Sequence, residues 1–578
     1  MIGPRRRRWF AGDALALAGL LVLALGLTGF WGAAFGEPIQ HDRGEDWDWQ
    51  LTLVGSAVRS WLDFHRFPTW NPYTGGGVPL LANPEFPGLH PAFVLPVWLG
   101  PDRGAKALIV LHLVIGWAGL ALLGRQLGLR RPLELLPPLL LAGCSVWNFR
   151  LMWGHLMFIG VAYLPWAWWW MLRARGRPYV GALAGLALGA GLLAGGHYAF
   201  LIGGVTTVVW SLLRLPREGR AVLAPLAAFA ATAGLFALAR GLPLLLAAGD
   251  AARLAEVSDG GAIGSYGPWE LLRIWAGVAP LQGEHESQPT FHSWLPLLLA
   301  VPGLWVAWRR QRPLLGVFAL ALVLSVADNA PINAYQGLRA LPGLGGFRYP
   351  ERFALAHAPL LALLAALGAQ GLLVGLARWG LRIPAAALGI VLVAAIGWHA
   401  VRSLPPEHDR YGLLVGTYSL PAEVDPDQEP FRQDSGADWN YHALRANRGC
   451  PACRDALGLP PPPRPWGEEL AELEGGGEVE IERFAGGAID LRASNPVPST
   501  LVVRQAARLG WRGEVDGEEA ALAVGAQWLR IELPAGDHAV RLRYRTPGGR
   551  LAGGALLVAL LLPAGLALIG RRGRVSPG

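Results

Sequence analysis

The sequence predicts a polytopic α-helical membrane protein of about twelve spans, with a small β-sandwich-like domain near its C-terminus. Three observations predict it. Long apolar runs recur along the 578 residues, arginine clusters fall on alternate connections between them, and a late passage changes to the two-residue alternation of strands. Only 16% of residues are charged, against roughly 25% in an ordinary soluble domain, and 53% are hydrophobic. The 26 Trp and 77 Gly also suit a bilayer, where indoles favour the headgroup region and glycine is frequent in spanning helices.

The first span is the run 14–34 that follows Arg5–Arg8. At ~1.5 Å per residue it is long enough to cross ~30 Å of hydrocarbon. A cleaved signal peptide would begin in the same way, with Ala33, Ala34 and Gly36 as its small residues, but its apolar part would be shorter, roughly 7–15 residues. Further runs lie at 104–124, 133–149, 156–172, 180–197, 198–213, 221–239, 293–308, 313–327, 353–377, 383–401 and 551–570. Arginines cluster at 5–8, 125–131, 173–177, 214–220, 309–312, 378–382 and 571–574, on every second connection. By the positive-inside rule these connections are cytoplasmic, which puts both termini on the cytoplasmic side of the membrane.

The expected organisation is a transmembrane module over 1–402 with outward loops 35–90, 250–292 and 328–352, an extracytoplasmic region over 403–549, and a final span with a basic tail over 550–578. Within the extracytoplasmic region, 403–475 is rich in Pro, Gly and charge and reads as irregular. Residues 476–549 alternate between strand-like stretches and Gly, Asn-Pro and Asp-Gly turns, the pattern of an antiparallel β domain. The net charge of +8 makes no continuous basic face, so no nucleic-acid partner is expected. Three cysteines cannot build a disulfide framework; Cys450 and Cys453, on the extracytoplasmic side, favour a local disulfide.

Chemistry is expected on the outward segments. The first carries Asp42, Glu45, Asp46 and Asp48 beside Trp47 and Trp49. Loop carboxylates are commonly just hydrated. Walled by indoles at the membrane face, however, a carboxylate is partly desolvated and can serve as a base near neutral pH. Asp46-Trp47-Asp48 also has a short DxD form that could bind a divalent cation through oxygen ligands. The passage TWNPYTGGGVPLLANPEFPGLHP, which contains Glu85 and His90, reads as a rigid, shaped loop around three glycines.

In the segment at 328–352, Arg348, Glu351 and Arg352 precede an apolar run, with Pro350 at its start. Such arginines can snorkel to headgroups, but two guanidinium groups beside one carboxylate also suit capture of a lipid phosphate. Arg240, near the outward end of its span, is costly in lipid and is expected to face a polar cavity. His155, His197, His285 and His292 lie near outward ends of spans, where a lone histidine is more often hydrogen-bonded structure than a ligand; no metal site is built from them.

The segment EDWDWQ, the Pro- and Gly-rich loop after it, the strip LPGLGGFRYPERF and the passage GWRGEVDGEEAALAVGAQWLRIELPAGDHAVRLRYR before the last span resemble the YfhO-like bacterial membrane proteins, a branch of the GT-C superfamily of lipid-linked sugar transferases. The resemblance covers nearly the whole chain, and order and spacing carry it. It implies an enzyme that moves a sugar from a polyprenyl-phosphate donor to an envelope glycan, lipid or protein acceptor on the outer face. Inversion is expected, and with a monophosphate leaving group the arginines suffice without a cofactor, a divalent cation at Asp46 and Asp48 being the alternative. The resemblance also implies that Asp46, four residues before Gln50, is the catalytic base, with Asp48 and Asp42 as alternatives. A transporter or a non-catalytic assembly factor for envelope polysaccharide is the rival reading. Transporters place ionisable residues at the midplane and often repeat their halves, whereas these spans are nearly charge-free in their middles.

Overall fold

The computed structural model describes residues 4–30, 33–36, 39, 46–152, 154–247, 265–276, 291, 294–341, 344–345, 347–379, 391, 431–433, 439–453, 469–523 and 528–572. Asp42, Glu45, His285, His292, nearly all of the expected span at 383–401 and most of the segments 250–292 and 403–430 lie outside the described residues.

Among the described residues, five helices are long and apolar enough to cross a membrane by length and composition: Pro101–Gln126, Leu215–Ala247, Arg312–Asn329, Pro350–Arg378 and Gly549–Gly570. Shorter apolar helices lie between them, including Pro178–Leu193 and His197–Leu212. The chain is a multi-pass helical membrane protein with a strand-rich C-terminal domain. Close helix packing follows from small residues on facing stripes. Gly181, Gly185 and Gly189, one per turn, lie so close to the Leu223–Ala247 helix that a Cβ would strike Pro225, Phe229 or Phe236. Gly303 and Gly368 do the same where Leu295–Arg310 crosses Ala354–Arg378.

Several segments depart from the sequence reading. Residues 46–62 are not a loop but the helix Asp46–Leu62, buried over most of its length. The run at 133–149 breaks at Gly143 and Cys144 into Leu136–Ala142 and Ser145–Met152. The run at 156–172 is not one α-helix either. It opens as a tight 3-10 stretch, Leu156–Tyr163, and becomes α-helical at Leu164 with Pro165 in the first turn. Residues 403–475 are not irregular throughout: Asn440–Arg445 is a helical turn and a half, and Arg432–Gln433 pairs in parallel with Arg448–Gly449.

The β domain begins at Ala471. Its larger sheet runs in the order Glu518–Ala520, Trp511–Val515, Gly536–Tyr544, Ala488–Asn495, Glu478–Phe484, and the smaller one Trp528–Leu533, Ser499–Ala506, Ala471–Leu473. Every pairing in both sheets is antiparallel, with Leu491 opposite Val540 and Ile489 opposite Leu542. Alternate residues of both sheets, Ile489, Leu491, Val540, Leu542, Leu501, Val503 and Ile531 among them, are buried in a single core.

This domain sits on the Pro- and Gly-rich loop. Trp70–Asn71 pairs with Val78–Pro79 around the three glycines. Ala506 N–H donates to the Gly76 carbonyl at 2.7 Å, the Trp70 indole donates to Gln505 Oε1 at 2.7 Å, and the Trp70 ring packs on Trp511 and Tyr544 at centroid distances of 5.1 and 4.5 Å.

Candidate functional site

Asp46 opens the Asp46–Leu62 helix, so its carboxylate sits at the positive end of the helix dipole. One turn on and on the same face is Gln50. The next wall is the Gly154–His155 turn. Gly154 has φ +84 and lies against the backbone of Trp47, so only glycine admits the approach that brings His155 to the carboxylate.

His155 Nε2 pairs with Asp46 Oδ2, and its Nδ1 faces Arg150 Nη1 at 3.3 Å. An arginine can only donate, so Nδ1 accepts and the ring proton is on Nε2, donated to Asp46. Arg150, fully buried on the Ser145–Met152 helix, holds Glu351 Oε1 at 3.5 Å with its other terminal nitrogen. Four residues thus form one relay: Glu351, Arg150, His155, Asp46.

Arg352 lies near the same Phe158 ring as Arg150. Its guanidinium is 3.8 Å from the Tyr198 ring centre, 4.2 Å from that of Tyr349 and 5.6 Å from that of Phe158. The arginine is buried, and its Nε has no acceptor among the described residues. Aromatic faces hold it by cation–π attraction and leave its N–H fork unspent. Arg348, half-buried, likewise meets no hydrogen-bond acceptor among the described residues, and its charge acts on Tyr198 as that of Arg352 does.

The electrostatics are those of a carboxylate in a cationic corner. Burial pushes the Asp46 carboxyl up, but the hydrogen bond and charge of His155 and the charges of Arg150 and Arg352 outweigh it and hold the pKa below its ordinary value. Asp46 is 46% exposed and His155 13%, so the carboxylate is the open end of the relay. Burial lowers the His155 pKa, opposed by Asp46 and reinforced by the two arginines, which keeps the ring neutral. The expectation that desolvation would raise Asp46 toward neutrality is therefore corrected: nearby donors and cations win.

The remaining candidates divide. Glu85 joins the cluster: its Oε2 accepts from Gln50 Nε2 at 2.8 Å and from Trp49 Nε1 at 3.1 Å. Asp48 does not. It is 4% exposed, points away from Asp46, and accepts from Asn440 N–H at 2.9 Å, Asn440 Nδ2 at 3.2 Å and Tyr441 N–H at 2.8 Å. The Asp46 and Asp48 side chains therefore diverge, because residues two apart in a helix are rotated by about 200°.

Arg240 is buried but faces backbone rather than a cavity, donating to the carbonyls of Asn83 at 2.7 Å, Phe86 at 3.2 Å and Leu81 at 3.4 Å. His90 caps Pro91–Phe93, accepting at Nδ1 from Ala92 N–H at 3.1 Å, and bonds Tyr163 through Nε2 at 2.7 Å. Both hold the loop that carries Glu85. The sequence reading missed Arg150 and Tyr198 and set His155 aside. The usable signal was Arg150, a charge at the edge of an apolar run, which is expensive unless paired.

No family model matches the chain, and no curated protein does. Among solved structures the chain is similar to the arabinofuranosyltransferase AftD from mycobacteria, with a TM-score of 0.41 and 19% identity over 69% of this chain and 27% of that one. It is similar also to the apo oligosaccharyltransferase of Archaeoglobus fulgidus, with a TM-score of 0.39 and 14% identity over 75% of this chain and 64% of that one. ArnT from Cupriavidus metallidurans, bound to undecaprenyl phosphate, gives 0.38 and 14% over 75% of this chain and 88% of that one. The chain thus spans about a quarter of the first and just under two thirds of the second. Likeness at this level transfers no residue roles.

Proposed function

We propose that the protein is a membrane glycosyltransferase that takes a sugar from a polyprenyl-phosphate donor and attaches it to an envelope acceptor at the extracytoplasmic face of the bacterial cytoplasmic membrane. The single observation that supports this reading best is an ionised, half-open carboxylate held by His155, whose ring packs on Phe158, together with an arginine stacked near the same Phe158 whose N–H fork is unspent.

In this reading Arg352 and Arg348 bind the donor phosphate, bidentately where the planar fork allows. The acceptor oxygen attacks the anomeric carbon from the face opposite the phosphate. The carbon–oxygen bond to phosphate breaks with its electron pair, and the acceptor proton passes to Asp46. A carboxylate of lowered pKa is a weak base. Proton transfer therefore comes late, once bonding to the anomeric carbon has made the acceptor O–H acidic, and the Asp46 charge meanwhile stabilises the positive anomeric centre. His155 holds the carboxylate and leaves its outer oxygen for the acceptor. Glu85 and Gln50, next to Trp49, line the same corner and offer acceptor oxygens for sugar hydroxyls.

The test is Asp46→Asn in the full-length protein, assayed with a polyprenyl-phosphate sugar and by mass analysis of envelope glycans. The variant keeps shape and hydrogen bonding, so it is expected to accumulate normally and lose about 10²–10⁴-fold in turnover. Unchanged glycans in cells that make only the variant would mark the protein as a scaffold instead.

A further inference from the structure

The face of the Asp46–Leu62 helix opposite the candidate site is bound by a segment that transfer chemistry alone does not require. Asp48 accepts the first two backbone N–H groups of Asn440–Arg445 and the Asn440 amide, and so caps that short helix. Tyr441 OH donates to Asp102 Oδ2 at 2.5 Å, while Asp102 Oδ1 accepts from Ile39 N–H at 2.8 Å. Arg59, further along the same helix, donates to Asn447 Oδ1 at 3.1 Å. Thr74 Oγ1 donates to Asn440 Oδ1 at 2.8 Å, Cys450 N–H donates to the Tyr73 carbonyl and Gly75 N–H to the Cys450 carbonyl, each at 2.9 Å. Cys450 and Cys453 are joined by a disulfide that closes the last turn of the segment.

Among the described residues, 439–453 are therefore fastened to the helix at two points and to the 70–79 loop by four hydrogen bonds, one of them from Tyr73 OH to Asn447 Oδ1 at 3.2 Å. The first of these points lies two residues from Asp46. With Gly154 packed against Trp47 on the other side, the turn that carries Asp46 is gripped from both faces.

We propose that residues 439–453 are a clasp, anchored on Asp48 and closed by the Cys450–Cys453 disulfide, that positions Asp46 against its substrate. Asp48, Asn440 and Tyr441 are positioning residues. They act through the orientation of one helical turn and touch no reacting atom. This inference rests on the glycosyl-transfer reading for its kinetic consequence, but not for its structural one. Among the described residues no hydrogen bond or ion pair joins the clasp to Arg348 or Arg352, so loosening it is expected to shift the base without weakening phosphate binding. A misplacement of about 1 Å in a catalytic group costs up to about 10²-fold in rate.

The experiment compares wild type, Asp48→Asn and Cys450→Ser/Cys453→Ser full-length proteins by steady-state kinetics and by amide hydrogen exchange. Each variant is expected to show kcat reduced about tenfold or more with the donor KM unchanged. The acid limb of the pH profile should survive, because Asp46 is still the base. Exchange should quicken both in 439–445 and in 46–52, while 197–212 is unaffected. Tyr441→Phe loses a single hydroxyl contact and is expected to lie between wild type and Asp48→Asn, which keeps the test open should Asp48→Asn fail to accumulate. Faster exchange in 439–445 with no change in 46–52, or with kcat intact, overturns the clasp. Loss of the acid limb in Asp48→Asn overturns it too, since Asp48 would then be the base. If no variant and no wild type transfers sugar, the functional reading fails while the exchange data still decide whether the grip on 46–52 exists.

Discussion

At the scale of single residues, the relay from Glu351 through Arg150 and His155 ends on Asp46 and holds its carboxylate ionised. Asp46, Glu85, Arg348 and Arg352 are charged residues in segments between apolar runs, which is how they stand out in a sequence. Their partners do not. His155 is separated from Asp46 by 109 positions and Arg150 from Glu351 by 201, so no local pattern joins them. Asp48 was misread for the converse reason: spacing cannot tell a carboxylate facing an open corner from one capping a helix nearly 400 residues later. The relay predicts a pH effect with a definite sign. In wild type, donors hold the Asp46 carboxyl low, so a rate limb set by its protonation falls below the ordinary carboxylate range. In His155→Ala the hydrogen bond and charge of His155 are lost, burial pushes upward with less opposition, and the acid limb of kcat/KM is expected to move to higher pH. A limb that stays put would detach His155 from Asp46. Depressed values also mean that the unfolded chain binds more protons. Stability contributed by Asp46 is thus present above the ordinary carboxylate pKa and is lost as pH falls through the folded value. For His155 the unfolded ring protonates first on acidification, so stability falls below about pH 6.5. Arg352→Lys keeps the charge but not the planar fork or its stacking between Tyr198 and Tyr349. Its turnover with polyprenyl-phosphate donor is expected to fall about 10²-fold, as when one preorganised donor is removed.

Among secondary-structure elements, the long apolar helices were legible from length and hydropathy, and the breaks within them were not. The Asp46–Leu62 helix carried a readable sign, since Trp47, Leu51, Val54 and Val58 repeat at helical spacing and all are buried. The Pro- and Gly-rich context masked it. Arg240 shows how a span positions a loop. It is buried on the Leu223–Ala247 helix, where lipid would make a bare charge expensive, and it meets that demand with three carbonyls of 81–86. Gly195, at φ +89, lets the chain pass directly over the Glu85 backbone, so the turn is held from both sides. Arg240→Met keeps the apolar stem and removes the donors. Leaving buried carbonyls unpaired is expected to destabilise the protein by about 1–3 kcal/mol, seen as a lower thermal midpoint in detergent. Because Glu85 rides on this turn, donor KM should rise as well; a stability loss with normal KM would confine Arg240 to a packing role.

The whole molecule seats a strand domain on a short loop of the membrane bundle, and here the sequence was informative about each part but silent about the joint. Alternation identified five of the eight sandwich strands, and turn residues marked the glycine loop. That Trp70 of the loop would enter between Trp511 and Tyr544 depends on residues more than 400 positions away. Gly77 is the tightest point of the joint. Its φ of +116 is a region L side chains avoid, and a Cβ there would run into the Trp70 indole and the Gln505 amide. Gly77→Ala must therefore strain the loop backbone or push Trp70 and Gln505 apart, breaking the bond between them. The substitution touches the loop and leaves the buried side chains of the spanning helices in place, so the variant is expected to accumulate in the membrane with its helices intact. Exchange of the Ala506 amide, which is bonded to Gly76, should rise by an order of magnitude or more, roughly the loss of one net hydrogen bond. Because the same loop carries Tyr73, Thr74 and Gly75, which fasten residues 439–453, the disturbance should reach 46–52 as well. Faster exchange at Ala506 with 46–52 unmoved would show that the strand domain is merely tethered beside the site rather than mechanically joined to it.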